Sequence, residues 1–174
     1  MTSSSKNLGD LFGSFKHEAF RLETLDDYSR SGNTDAYRAF LAGERQPDGY
    51  NSEWVKELRS LTSQGKRVHR VHIVTRPLTE YLRYELGWGY QKNSTGGEEF
   101  FILDTTEQPN PLKGVPDFWI FDSADTAVMR YDDQGAFLGA DVLPLDDSAE
   151  FVRYRDAALA HAEPFTDWWA KYGE

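Results

Sequence analysis

The sequence predicts an α/β (α+β) fold, a single mixed sheet of about five strands flanked by helices. Two observations carry that expectation. Period-two and helical-period patterns interleave from residue 18 to residue 103, as strand-helix-strand units do, and strand patterns then cluster between residues 117 and 143. The chain has 174 residues, a usual size for one domain and long enough to bury roughly two-thirds of its unfolded surface.

Residues 1–7 form a polar leader expected to be disordered, and 8–174 a single α/β domain. Leu8, Leu11, Phe12 and Phe15 share one side of a short helix that docks on the domain. Over 18–24 the residues alternate, Phe20 and Leu22 on one face and Arg21 and Glu23 on the other, as in a half-buried strand. Residues 26–34 are a polar loop, 35–41 a helix ended by Gly43, and 46–49 a turn-rich link. Ser52 is placed to cap a longer helix carrying Trp54, Val55, Leu58 and Leu61, with Gly65 just past its end. Val68, Val71, Ile73 and Val74 make 67–75 an interior strand near the sheet centre.

Pro77 then opens a helix on Leu78, Tyr81, Leu82 and Leu86 that Gly87 closes. Residues 98–103 read as a strand, and 104–116, with three prolines, as a loop. A meander follows over 117–122, 127–131 and 136–143, with Asp132-Asp133-Gln134-Gly135 as its last turn. Asp146 or Asp147 caps a helix running to Ala162, and the aromatic tail, Phe165, Trp168 and Trp169, is expected to pack back.

Composition removes several function classes. With no cysteine there is no disulfide framework, thiolate zinc site or cysteine nucleophile, and a reducing, cytoplasmic location fits best. No run of about 18 apolar residues occurs, so no membrane span is expected. The formal charge of -10 lacks the cationic excess that phosphate neutralisation needs, so no direct nucleic-acid binding is expected.

The chemical motifs are equally sparse. His69 and His72, three apart in a strand, point to opposite faces and cannot share a metal, so no metal or cofactor is expected. No nucleophile elbow, P-loop or dinucleotide-binding turn occurs, and Gly87, Gly89, Gly96 and Gly97 read as turn glycines. The adjacent acids Asp26-Asp27, Glu98-Glu99, Asp132-Asp133 and Asp146-Asp147 read as turn and cap residues, because neighbouring side chains point apart.

One local positive region stands out, Arg67, Arg70, Arg76 and Arg83 with Tyr81 and Tyr84. Read functionally, it is a site for a small anion or an acidic peptide at a strand's C-terminal end. The favoured alternative pairs these arginines with nearby acids such as Glu80 and Glu85 on a solvated face. Arg21 and Glu23 share a strand face, and Asp122 ends the Phe118-Trp119-Ile120-Phe121 strand, so these charges either line a cleft or form structural ion pairs.

The segments Ala19-Phe20-Arg21-Leu22-Glu23-Thr24, Pro77 to Glu85 and Asp117-Phe118-Trp119-Ile120-Phe121-Asp122-Ser123 resemble an actinobacterial family of unknown function, common in streptomycetes and about this long. The resemblance spans nearly the whole chain. It implies a regulatory role beside a helix-turn-helix regulator or another protein partner, by analogy of context. The order of elements is also similar to one half of the phospholipase D fold, but no histidine is followed two residues later by lysine, which implies a catalytically silent version. The residues carried over as ligand-binding candidates are Arg21, Glu23, Tyr81, Arg83, Trp119 and Asp122, and the positive cluster adds Arg76; none is assigned a catalytic role.

The expected function is a non-enzymatic regulatory or binding module that acts through a protein partner or small ligand. Two other readings stay open: a phosphodiesterase-like hydrolase with an unrecognised site around Arg21, Tyr81, Arg83 and Asp122, and an interaction subunit that docks through its aromatic C-terminus.

Overall fold

A computed structural model describes residues 6–173. Along the chain run α1 (Leu8–Ser14), β1 (Glu18–Glu23), α2 (Thr34–Leu41), α3 (Ser52–Ser63) and β2 (Arg67–Val74). Then come α4 (Glu80–Tyr84), a π-helical segment (Glu85–Tyr90), α5 (Gln91–Ser94), β3 (Glu99–Asp104), β4 (Phe118–Phe121), β5 (Asp125–Tyr131) and β6 (Phe137–Val142). A 3₁₀ turn (Leu145–Asp147), α6 (Ser148–His161), β7 (Glu163–Pro164) and α7 (Phe165–Tyr172) complete it. The mixed α+β architecture is as expected, but the sheet has seven strands in the order β6-β5-β4-β1-β2-β3-β7 rather than about five. Two-residue β7, pairing with β3 through Pro164 and Glu163, is too short to show any periodicity.

Parallel pairing joins β1 to β2 and β2 to β3, and β4 lies antiparallel on the other side of β1. The register sets Arg21 beside Arg70 and Trp119, and Glu23 beside His72. Because side chains alternate across a strand, one face collects Arg21, Glu23, Arg70, His72 and Trp119, and the other Phe20, Leu22, Val71, Ile73, Phe118 and Ile120. The second face is apolar and is covered by α6 through Phe151 and Ala158.

The first face holds two apolar clusters. At one end α1 and α3 bring Leu11, Phe15, Leu58 and Leu61 onto Ala19, Val68 and Phe121. At the other, Leu82, Leu86, Tyr90, Phe165 and Trp168 cover Val74, Phe100 and Ile102, so the aromatic tail packs back as expected. The charged residues of β1 and β2 lie between these clusters.

Local chemistry sets the element ends. Asn7 and Asp10 form a reciprocal capping box on α1, so the expected leader is already ordered at Asn7, while residues 1–5 lie outside the described residues. Thr79 caps α4 by accepting from the Leu82 amide, so that helix starts after Pro77 rather than at it. Asn51, not Ser52, takes the cap position of α3. Gly87 does not close its helix either, since the chain stays helical through the π segment to Ser94. Asp132 supports the β5-β6 turn by accepting from the amides of Gln134 and Ala136. No helix of the described residues is long and apolar enough to cross a membrane.

Candidate functional site

Three buried carboxylates and two guanidiniums form a belt across the first face. Arg70 donates to Glu23 at 2.9 Å and through Nε to Glu98 at 2.7 Å, and Trp54 supplies a further donor to Glu98 at 3.0 Å. Arg21 donates to Asp117 at 3.2 Å and to the Tyr131 hydroxyl at 2.8 Å, while Tyr28 donates to Asp117 at 2.5 Å. Both guanidiniums lie over the Trp119 ring, at 5.7 and 5.6 Å from its centre. Burial pushes the Glu23 carboxyl up, but Arg70, then His72 and Arg21, outweigh it and hold it well below the usual carboxylate range. Glu23 is therefore ionised, with its charge held by Arg70 and by the Tyr90 hydroxyl, which donates to it at 2.7 Å.

Glu85 differs from its neighbours. It opens the π segment, a helical irregularity that is frequent at functional sites. Its Oε2 is shielded from solvent and accepts no N–H or O–H, but in its protonated form the carboxyl hydrogen-bonds to Glu23. Burial, then the negative charge of Glu23, pushes this carboxyl well above its ordinary value, against the opposing pull of Arg70. Glu85 is thus biased toward the neutral acid, its proton shared with the ionised Glu23 beside it. His72 lies 3.7 Å from Glu85 through Nδ1 and donates its Nε2 proton to the Leu25 carbonyl at 2.8 Å.

Glu23, His72 and Glu85 each offer one donor atom, and these lie within 4.8 Å of one another, a spacing that could hold a metal ion. The donor set fits a metal poorly, because Glu23 Oε1 already accepts from Arg70 and Tyr90. A guanidinium already supplies the counter-charge there.

Above Glu85 opens a cavity of about 160 Å³, lined by Tyr37, Tyr50, Tyr81 and Tyr84, by Asn33, Asn51 and Asn93, and by Arg70 and Tyr90 from the belt. The rings of Tyr37 and Tyr81 meet at 68° and those of Tyr81 and Tyr84 at 62°, so they form the walls of a cup rather than a stack. Gly32 and Gly89 line it too, leaving room where a side chain would stand.

A family model described as a domain of unknown function (DUF6879) matches residues 6–170. The chain belongs to this family. No curated protein matches it.

In this DUF6879 domain four of the seven residues singled out from sequence meet at the site. Arg21, Glu23 and Trp119 are in the belt, and Tyr81 lines the cavity. The structure does not bring Arg76, Arg83 or Asp122 there. Asp122 sits at the opposite end of β1, accepting from the amides of Lys16, His17 and Glu18 at 2.7–3.0 Å, and so anchors the strand's start. Arg76 donates to Asp104 at 2.7 Å and lies 3.9 Å from the Tyr172 ring centre, fastening α7 to the sheet. With exposed Arg83 it lines a separate groove.

Arg67, Arg70 and Arg76 of the positive cluster pair with Glu99, Glu98 and Asp104, not with Glu80 or Glu85 as expected. Glu98 is consequently a buried ion-pair partner rather than a turn residue. His69 and His72 do face opposite sides, His69 meeting Glu18 at 2.9 Å.

Sequence reasoning passed over Glu85, Glu98, Asp117 and Tyr90, although a signal existed for three. Asp117 is in phase with Trp119 and Phe121, Glu98 with Phe100 and Ile102, and Glu85 follows Tyr81 by four residues on the same helical stripe.

Proposed function

We propose that this DUF6879 domain is a non-enzymatic binding module that takes a small ligand into the tyrosine-lined cavity over Glu85. One observation carries the reading: the Glu85 carboxyl lines a cavity of about 160 Å³ that is walled by Tyr37, Tyr50, Tyr81 and Tyr84, a titratable group set among aromatic rings. The volume suits the role, since a cavity of about 150 Å³ holds a benzene-sized molecule. A few convergent polar groups among aromatic walls is the usual make-up of a ligand site. A regulatory use, with occupancy read by a protein partner, follows only from the family resemblance.

The hydrolase alternative has one observation in its favour. Glu23 and Glu85 are neighbouring carboxyls whose environments push their proton affinities apart, the pattern of an acid and base pair. It falls short because Oε1 of Glu23, the ionised member, is tied to Arg70 and Tyr90, and Glu23 is not among the residues that line the cavity. The phospholipase D likeness adds no step, lacking the His-x-Lys pattern.

The test is a fragment screen by amide chemical-shift mapping, run on the wild type and on Gly89→Ala. A Cβ at Gly89 would stand 3.4 Å from the Tyr50 hydroxyl and 3.8 Å from Glu85 Cγ, so the methyl enters the cavity without straining the backbone. Fragments should shift the amides of Gly32, Gly89 and Asn93 in the wild type and bind at least tenfold more weakly to the variant. Hits that map elsewhere, or that bind both proteins equally, would refute the proposal.

A further inference from the structure

We infer that the ligand group this cavity accepts is a small alkylammonium, its N–H directed at Glu85 and its charge held among the rings of Tyr37, Tyr50, Tyr81 and Tyr84. The inference rests on the binding reading above and narrows it to a chemical class.

Charge at the site decides between anion and cation. Arg70, the one cation lining the cavity among the described residues, is committed to Glu98 and Glu23, so no guanidinium is left to hold an anion. Glu85 is the one carboxyl among the residues that line the cavity, and once ionised it is an acceptor that takes a donor. An ammonium brings both the donor and the positive charge that stabilises Glu85 as a carboxylate.

The walls favour the same class. Burial is the first cause pushing the hydroxyls of Tyr37, Tyr50, Tyr81 and Tyr84 above the ordinary phenol value, so all four rings are neutral phenols, whose faces attract cations. Tyr50 and Tyr84 are tied to each other through their hydroxyls at 3.3 Å, which fixes that wall without a ligand. The net charge of -10 also raises the local concentration of cations over anions.

A quaternary ammonium would satisfy the rings but offer Glu85 no proton, which is why a primary or secondary ammonium fits better. A divalent metal would need Glu23 as a ligand, and Arg70 and Tyr90 already occupy that oxygen.

The test compares n-butylammonium with its neutral near-isostere 1-butanol by chemical-shift titration at pH 7.5. It uses the intact chain, as wild type and as Glu85→Gln, and manganese(II) is titrated in parallel. The expected result is that the wild type binds butylammonium at least tenfold tighter than butanol, and that the Gln variant loses the preference while still binding butanol. Equal affinity for the two probes in the wild type, a comparison that needs no variant, would overturn the cation assignment and leave the binding reading standing. Failure of both probes, together with an empty fragment screen, would overturn the two readings together. Manganese bound at Glu23, His72 and Glu85 with no butylammonium binding would replace the ammonium by a metal.

Discussion

Glu85 connects the stability of this protein to its chemistry. Its carboxyl, raised by burial and by Glu23, must be neutral for the fold to bury it at no electrostatic cost. Stability from this group is therefore fully present below the unfolded value near 4.5 and declines as pH rises toward its folded value, by up to about 1.4 kcal/mol per pH unit. The groups that face it are Glu23 and Arg21 from β1, Arg70 and His72 from β2, Tyr50, and Tyr81, Tyr84 and Tyr90 from its own helix. Glu85→Gln keeps the shape and removes the titration. Urea midpoints of the two proteins should agree near pH 4 and diverge in favour of the variant by pH 8, whereas parallel curves would mean that Glu85 is ionised in the fold.

Arg70 behaves differently. Replacing it by Met would leave Glu98 buried without a counter-charge and take from Glu23 its main one, a loss expected at about 3–5 kcal/mol and measurable by urea unfolding at pH 7. The individual residues were partly legible. Strand alternation placed Arg21 and Glu23 together correctly, but the buried acid Glu98 reads as a turn residue because adjacent carboxylates usually are.

Among the elements, the helix from α4 through α5 determines the cavity. Its start was legible to within a few residues, its end was not, because Gly87 and Gly89 look like stop signals yet lie inside a π segment packed on Trp169 and Tyr50. Gly96 and Gly97 carry a related lesson. They do end the helix, but their smallness matters more for packing, since a Cβ at Gly96 would stand 2.8 Å from Leu58 Cβ and 2.9 Å from the Val55 carbonyl oxygen. Gly96→Ala should thus push α3 off the sheet and cost about 1–3 kcal/mol. Gly89→Ala, by contrast, should cost nothing or add about 0.5–1 kcal/mol through reduced chain entropy. Thermal melts of the two variants should move in opposite directions or, at the least, differ clearly in size.

For the whole molecule, the class of fold follows from interleaved periods, while the strand order does not. Nothing local in Phe118-Trp119-Ile120-Phe121 says that β4 lies beside β1, a pairing almost a hundred residues long-range that puts Trp119 under both guanidiniums. The site was hidden for the same reason, being assembled from β1, β2, β4 and the helix that only the tertiary fold brings together. The C-terminal α7 completes the cover of the first face through Trp168, which is fully buried and donates to Asp104 at 3.0 Å. Trp168→Ala should cost about 3–5 kcal/mol, and because all three apolar clusters share one sheet, far-ultraviolet and aromatic signals should lose structure at the same urea concentration.

The most direct measurement is carboxyl ¹³C NMR of Glu85, followed against pH with and without n-butylammonium. A neutral acid awaiting a cation predicts a carboxyl still protonated at pH 7 in the free protein and ionised when the ammonium is added. A resonance that titrates near the ordinary glutamate value and ignores the ammonium would contradict both the buried neutral acid and the site built on it.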